Sequence, residues 1–379
     1  MLTTIIAVII VLGGLIFFHE LGHFAVARAL GMGVSTFSLG FGPKILRCKR
    51  GKTEYALSLV PLGGYVALVG ESDGADIPED FSKEESFALR PAWQRLLVMA
   101  AGPTANIVLA WLLCWGLAFG WGTPVLLPQV GAVTENSPAA KAGLRPGDRI
   151  LSVDGQTVGS WEAMSDAIAR SNGKPMHLEV ERVGLGDATQ PPSDAGGQRG
   201  QVWMAKYDRL ALELTAERAT RKTIFGENET AWLIGVRAAG SVATHQKSFW
   251  DAASAGADQT WRMVSLTWQS FVKLAERVVP LDQVGGPIMI AQMVGEQAHQ
   301  GMAGLLALAA LISVNLGILN LLPIPILDGG QMVFCLLEIL FRRPVNRKVQ
   351  EYAMRVGLAL LIGLMLLATF NDVWRLLKS

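Results

Sequence analysis

The distribution of apolar residues constrains the fold of this chain more than any other feature of its sequence. A transmembrane helix needs roughly 20 mostly apolar residues to cross the hydrocarbon core of a bilayer. Four apolar segments are candidates, and they run from about Leu2 to Leu30, Leu96 to Trp121, Met302 to Leu322 and Val356 to Phe370. Charged residues make up 17% of the chain, against roughly a quarter of a typical soluble domain. We therefore predict a polytopic α-helical membrane protein with about four transmembrane helices in a lipid bilayer.

The first apolar segment lies where a secretory signal peptide would lie. No basic residue precedes it, and the apolar run continues past the usual length without a small-x-small cleavage site. Signal peptides have both a basic start and such a site. A retained membrane helix is therefore favoured over a cleaved signal.

Basic residues predict the orientation in the membrane. Six of them lie between Arg28 and Lys52, and four lie between Arg342 and Lys348. Because short cytoplasmic loops carry an excess of lysine and arginine, both loops are predicted to be cytoplasmic. Both termini and the insert between the second and third spans then face outward. The net charge is +1, and no nucleic-acid partner is expected, since such a partner requires a basic patch.

The insert between the second and third spans is predicted to be a soluble α+β domain. Strands are expected at Arg149–Val153 and Gln156–Val158, with a helix around Trp161–Arg170 and later strands at 177–180 and 210–214. The run SPAAKAGLRPGDRILSVDG, which begins at position 137, resembles a bacterial PDZ domain. Such a domain would bind a C-terminal peptide or act as a size filter, and the sequence does not separate these roles. The Gly-, Pro-, Gln- and Asp-rich stretch from 184 to 200 is predicted to be a surface loop.

A further helical pattern, Phe249–Val279, is too polar to span a membrane. It suits an amphipathic helix in the bilayer interface, and packing on the soluble domain is the alternative. The predicted organisation has four parts. They are residues 1–125 with two spans and a cytoplasmic β-hairpin loop, 126–218 as a periplasmic PDZ domain, 219–300 as a periplasmic linker with the amphipathic helix, and 301–379 with the last two spans.

The motif HELGH in the first span predicts a metal centre. His19 and His23 are four residues apart, so both imidazoles lie on one face of a helix and can bind one zinc ion. Glu20 lies near the same face and can accept a proton from a water that zinc activates. An accidental match is the alternative, but ionisable side chains are costly at the end of an apolar span and mark functional sites there.

A third protein ligand is expected in a zinc centre that keeps one position for water. Asp328 is a lone acid in a long apolar stretch and approaches the membrane from the same predicted side as His19 and His23. Pro323 and Pro325 precede it and break the helix. A broken helix within the membrane is tolerated only where protein or a wet cavity satisfies its backbone. The alternative for Asp328 is a simple helix cap.

Together these motifs resemble the site-2 protease family of intramembrane metalloproteases, in the bacterial branch that regulates sigma-E and carries a periplasmic PDZ domain. The resemblance rests on FHELGHF, PLGGYVAL, GPTAN, the PDZ-like run, GGPIMIAQ and SVNLGILNLLPIPILDGG, which cover almost the whole chain. It implies that His19, His23 and Asp328 bind zinc and that Glu20 is the general base. It also implies that Asn320 contacts the substrate backbone. Only one PDZ-like copy is visible.

Two further segments supply candidate substrate-binding residues. Gly63, Gly64 and Tyr65 lie in apolar sequence that predicts a β-hairpin turning at the two glycines. The resemblance suggests a re-entrant β-loop whose strand edge pairs with an unwound substrate, and a purely structural hairpin is the alternative. Asn106 lies in the second span, where an asparagine needs a partner. Packing against the catalytic helix is favoured for it, and substrate contact is retained as the second role.

The resulting hypothesis is an intramembrane zinc endopeptidase of the bacterial inner membrane, with its active site near the cytoplasmic side. The resemblance implies anti-sigma factors, and also remnant signal peptides, as single-span substrates. One alternative is a membrane-anchored PDZ scaffold whose zinc is structural or absent. Structural zinc sites are usually closed by four ligands, whereas three converge here. The other is a metal transporter, which usually shows polar residues in several spans and internal repeats.

Overall fold

The computed structural model describes residues 2–71, 77–183, 207–223, 225–278, 280 and 285–378. The chain divides into two compact units. One comprises Met1–Trp121 and Lys247–Ser379, and the other comprises Gly122–Gln246. The surface loop predicted at 184–200 lies outside the described residues.

The first unit is built mainly from helices. In chain order they are α1 (Leu2–Ala29), α2 (Ala92–Gly120), α5 (Phe249–Ala275), α6 (Pro287–Gln300), α7 (Met302–Leu321), α8 (Asp328–Phe341) and α9 (Arg347–Lys378). Within the part of the chain that the structure describes, α1, α2, α7 and α9 are long and apolar enough to cross a membrane. The prediction of four apolar spans is confirmed at this level.

Small residues bring the apolar helices close together, as is usual where helices pack in a bilayer. A Cβ atom on Gly22 of α1 would overlap the carbonyl oxygen of Ala101 on α2. A Cβ atom on Gly317 of α7 would lie 3.0 Å from the carbonyl oxygen of Pro103. The helix α2 therefore lies between α1 and α7, and its middle is in close contact with both.

The segment predicted to be an amphipathic helix forms α5 and belongs to the first unit. The indole Nε1 of Trp111 on α2 donates to the carbonyl oxygen of Ala253 at 3.1 Å. The hydroxyl of Thr267 donates to the side-chain oxygen of Asn315 on α7 at 2.7 Å. The helix thus packs on α2 and α7 within the first unit.

Between α1 and α2 the chain forms an antiparallel pair, β1 (Val34–Arg50) and β2 (Thr53–Leu68). One turn lies at Gly51, whose φ of 63° suits glycine. The chain also reverses between residues 57 and 64, near the predicted turn at Gly63 and Gly64, but the strands that flank this reversal pair with the start of β1 rather than with each other. Leu39 pairs with both Leu57 and Gly64. The sheet therefore has the start of β1 between the two halves of β2, and residues 64–68 form its edge.

The second unit is an α+β body. Its elements are β3 (Thr123–Leu126), β4 (Val130–Val133), α3 (Pro138–Lys141), β5 (Arg149–Val153), β6 (Gln156–Thr157), α4 (Trp161–Arg170), β7 (Pro175–Val183), β8 (Tyr207–Thr215), β9 (Glu217–Lys222), β10 (Asn228–Leu233), β11 (Val236–Ala238) and β12 (Val242–His245). The largest sheet has the order β6-β5-β7-β8, while β9 pairs with β10, β4 with β11 and β3 with β12. The strands predicted between 149 and 214 are confirmed.

The second unit extends further along the chain than the predicted boundary at 218. Because β11 pairs with β4 and β12 with β3, residues up to 246 return to the strands that open the unit. The Ser137 hydroxyl caps α3 by accepting from the amide of Ala140. A core of fully buried side chains, among them Ile150, Met176 and Leu178, lies between the large sheet and the helices.

Candidate metal centre

The helix α1 presents both histidines of the HELGH motif on one face. His19 and His23 are 8% and 7% exposed, and their Nε2 atoms lie 3.2 Å apart. The close spacing follows from the helix, because residues four apart lie one turn above each other. Two imidazoles are therefore aimed at one point inside the first unit.

Asp328 reaches the same point from the start of α8. The helix α7 ends at Leu321, and the segment with Pro323 and Pro325 turns the chain back before α8 begins. Oδ2 of Asp328 lies 3.1 Å from Nε2 of His19 and 3.5 Å from Nε2 of His23. The structure thus brings together the three predicted ligands, and they form a possible metal-binding group.

The two glycines after Asp328 make this turn possible. A Cβ atom on Gly329 would overlap the backbone of Leu321, and one on Gly330 would overlap the backbone of Ile324. The return of the chain therefore leaves no room for a side chain at either position. The consecutive glycines of the motif are required by close backbone approach, which fixes the carboxylate of Asp328 beside α1.

The distances among the three ligand atoms fit zinc. A tetrahedral zinc site with bonds of about 2.0–2.1 Å separates its ligand atoms by roughly 3.3 Å, and the observed separations run from 3.1 to 3.5 Å. Nitrogen and carboxylate oxygen are also donors that zinc accepts. Three protein ligands leave a fourth position open, which is the pattern of catalytic zinc sites.

The helix α2 forms the wall behind the two imidazoles. A Cβ atom on Gly102 would overlap Nε2 of His23 and would lie 2.7 Å from Cε1 of His19. Nδ1 of His23 lies 2.7 Å from the carbonyl oxygen of Val98, and Nδ1 of His19 lies 3.2 Å from the side-chain amide of Asn106. The sequence gave no sign that Val98 would contact a candidate ligand.

A cavity of about 600 Å³ opens onto the ligand atoms. Glu20 lines it together with Tyr65 and Val66 of the β2 edge. The Val66 amide lies near the Glu20 carboxylate, and a Cβ atom on Gly64 would lie 3.3 Å from Cγ of Glu20. The predicted general base and part of the predicted substrate-binding loop therefore lie side by side.

The other predicted substrate-binding residues lie elsewhere. Asn320 lies in the last turn of α7 and Asn106 is fully buried, and neither is among the described residues that line the cavity. A Cβ atom on Gly63 would overlap the ring of Phe41 rather than the site. The sequence did not indicate the polar wall of the cavity, where Arg95 pairs with Glu338 at 2.6 Å.

A buried His-His-Asp group beside a glutamate, among helices long and apolar enough to span a membrane, has the donor set of a catalytic zinc site in a membrane-bound hydrolase. The model of peptidase family M50 matches residues 7–364. The chain belongs to this family, the site-2 proteases, and is a zinc metalloendopeptidase with several membrane-spanning helices.

Individual relatives match along nearly their full length. The regulator of sigma-E protease of Salmonella typhimurium is 33% identical over 98% of this chain and 98% of its own length. The regulator of sigma-W protease of Bacillus subtilis is 29% identical over 98% and 99%. A protein of Agrobacterium fabrum, whose name also describes a zinc metalloprotease, is 34% identical over 97% and 95%.

Proposed function

We propose that this protein cleaves the transmembrane segments of single-span membrane proteins, in regulated intramembrane proteolysis. The observation that carries the proposal is the convergence of His19, His23 and Asp328 on one cavity that Glu20 also lines. Because the HELGH motif lies within an apolar spanning helix, a substrate that reaches it comes from the bilayer or its edge. The names of two relatives describe proteases that regulate sigma factors, which supports an anti-sigma-factor-like substrate.

Each residue of the site has a distinct role in this proposal. His19, His23 and Asp328 hold zinc, which, when bound, supplies Lewis acidity that polarises a peptide carbonyl and activates water. Glu20 accepts the proton of the attacking water and delivers it to the leaving amine. His19, His23 and Asp328 line the cavity, so a scissile peptide would approach a metal held by them from there.

The edge of β2 is proposed to hold the substrate as an added strand. Val69 donates its amide to the carbonyl of Gly33, so the amides of Val66 and Leu68 point to the other side of the strand. The Val66 amide lies near the Glu20 carboxylate, and the Leu68 amide donates to Glu71 Oε2 at 3.4 Å. Both amides thus face the site, and an unwound substrate that adds to this edge through its main chain would replace these carboxylates as the acceptor.

Proline at position 66 tests this edge. Val66→Pro removes one outward amide, and proline is tolerated on edge strands because no ladder hydrogen bond is lost. We expect cleavage of a transmembrane substrate to fall at least about tenfold through a higher KM, the equivalent of one lost hydrogen bond of roughly 1.4 kcal/mol, with zinc content unchanged. A fall in kcat alone would mean that the variant acts on Glu20, which lies near the Val66 amide. Val66→Ala keeps the amide and is the matched control. Equal cleavage by the two variants would show that the edge does not hold the substrate.

The second unit contains a groove that suits a C-terminal peptide. A cavity of about 260 Å³ lies between α4 and the segment Leu233–Val236, and its lining includes Met164, Ile168 and Trp232. The carbonyls of Ile234 and Gly235 turn inward and accept from Ala139 and Thr134. We therefore propose that this unit is a PDZ domain whose groove takes an apolar C-terminal residue.

The location and orientation follow from the charge distribution. We propose a multi-pass protein of the bacterial inner membrane, with the metal centre near the cytoplasmic side and the PDZ domain in the periplasm. The basic loops after α1 and before α9 support this orientation, because such loops remain in the cytoplasm. The start of α1 and the end of α9, which lie away from these loops, then face the periplasm.

Removal and return of the metal test the proposed function as a whole. The wild-type chain in detergent is incubated with a single-span test protein, and the products are mapped by mass spectrometry. We expect a cut within the apolar span of the substrate, loss of cutting after chelation, and recovery when zinc is added. Cuts confined to soluble parts of the substrate, or cutting that continues without metal, would contradict the proposal.

A further inference from the structure

Among the described residues, the buried side chain of Asn106 has a single polar partner, and that partner is His19, a ligand of the proposed zinc site. Asn106 is 0% exposed, and its amide nitrogen as placed lies 3.2 Å from Nδ1 of His19. Its side-chain oxygen has no hydrogen-bond partner in the described structure. A buried amide that meets only one group is costly unless that contact is favourable.

The tautomer of His19 decides which atom of Asn106 faces it. Nε2 of His19 points at Asp328 and His23, so Nε2 is the atom available to a metal. A neutral imidazole that binds metal through Nε2 carries its proton on Nδ1 and donates it. The neighbour at Nδ1 must then be an acceptor, whereas an amide nitrogen is a donor.

Rotation of the Asn106 amide by 180° removes this conflict. Oxygen and nitrogen of an asparagine are interchangeable in shape, and their assignment follows from the hydrogen-bond network. After rotation the oxygen without a partner occupies the place 3.2 Å from Nδ1 and accepts its proton. The contact of His23 is already of this kind, since its Nδ1 lies 2.7 Å from a carbonyl oxygen, that of Val98.

The backbone around Asn106 holds the amide in place. Ser313 of α7 is fully buried, and its hydroxyl donates to the carbonyl oxygen of Asn106 at 2.7 Å. Gly102, one turn earlier on α2, leaves the space in which both imidazoles lie. Asn106 is thus held by the contact between α2 and α7 and presents its side chain to α1.

We infer that Asn106 is a positioning residue for the metal centre, accepting the Nδ1 proton of His19 through its side-chain oxygen and so fixing the tautomer and ring orientation of this zinc ligand. This role replaces the contact with substrate that the sequence left open for Asn106. It rests on the metal centre of the proposed function, and it concerns metal affinity rather than the cleaved peptide. Loss of such an outer partner typically weakens metal binding by about 10–100-fold.

The test measures zinc affinity of the full-length protein in detergent, by competition with a chromophoric chelator. Asn106→Leu has nearly the same size and no acceptor, and we expect its zinc affinity to fall by about 10–100-fold. Asn106→Asp has acceptor oxygens only, so it should keep affinity within a few-fold of wild type. Asn315→Leu is the matched control. It removes another asparagine of an apolar helix, whose side chain accepts from Thr267 on α5 rather than contacting a candidate zinc ligand. It should bind zinc like wild type.

Each outcome supports or overturns the assignment. Wild-type affinity in Asn106→Leu would overturn it, and so would equal loss in Asn106→Leu and Asn106→Asp, because the amide nitrogen would then be the required atom. If Asn106→Leu does not fold, the zinc affinity of Asn106→Asp by itself still shows whether residue 106 must accept or donate the hydrogen bond to His19. If wild type itself binds no zinc, the proposed function fails, which is distinct from failure of this inference.

Discussion

Glu20→Gln is expected to keep zinc bound and to lower cleavage of a transmembrane substrate by about 10²–10⁴-fold, the usual contribution of a general base. Glutamine is close in size to glutamate and can still occupy the place beside Val66, but it cannot accept a proton from water. Glu20 lines the cavity without being one of the three converging ligands. This variant should therefore still bind the metal while the chemical step is slowed. Zinc content and cleavage are measured in the same preparations.

Glu351→Gln is the matched control for this variant. Glu351 lies on α9, lines the same cavity and contributes no atom to the ligand group. We expect its cleavage rate to stay near that of wild type. Full cleavage by Glu20→Gln would show that another group accepts the proton. Loss of zinc from Glu20→Gln would instead make Glu20 a part of the metal centre.

Gly102→Ala is expected to remove zinc binding, with a loss of affinity of at least about tenfold and no measurable cleavage. The added methyl group would overlap Nε2 of His23 and press on the ring of His19. The backbone of α2 cannot easily move away, because its other side is in contact with α7. Both zinc content and the thermal unfolding of the metal-free protein are measured, so that loss of the site is separated from loss of the fold.

Gly116→Ala on the same helix is the matched control. A Cβ atom at Gly116 would meet no atom within 4 Å, and alanine favours a helix over glycine by about 1 kcal/mol. This variant should therefore bind zinc normally and be as stable as wild type or more so. Normal zinc binding by Gly102→Ala would mean that α1 and α2 can separate at this level. The tight wall described here would then be wrong.

The candidate ligand set could be predicted from the sequence for two reasons. Some of its residues lie close together in one helix, and the other is an ionisable side chain that is energetically costly in an apolar segment. His19, Glu20 and His23 share one helix face by their spacing alone. Asp328 stands out because an acid in apolar sequence must have a partner. The apolar spans and the strands of the second unit follow from periodicity, and the structure confirms them. The PDZ assignment of that unit stays a prediction.

The remaining features are set by contacts between distant parts of the chain. The register of the β1–β2 sheet inserted residues 36–39 between the two strands that flank Gly63 and Gly64, so these strands do not form the simple hairpin that the sequence predicted. In the same way, β11 and β12 joined the second unit by pairing with β4 and β3. The sequence pattern of a strand shows which residues can form a strand, but it does not show which other strand they pair with.

The sequence by itself thus determined the apolar spans and the candidate zinc ligands, with the glutamate beside them. Only the tertiary structure decided what surrounds the ligands. Val98 and Asn106 lie 75 and 87 residues from the histidines that they contact, and Gly102 matters only because α1 packs against it. Hydrophobic periodicity, and the free-energy cost of an ionisable side chain in an apolar segment, can be recognised within one segment. The shape of the candidate metal centre arises where separate helices meet.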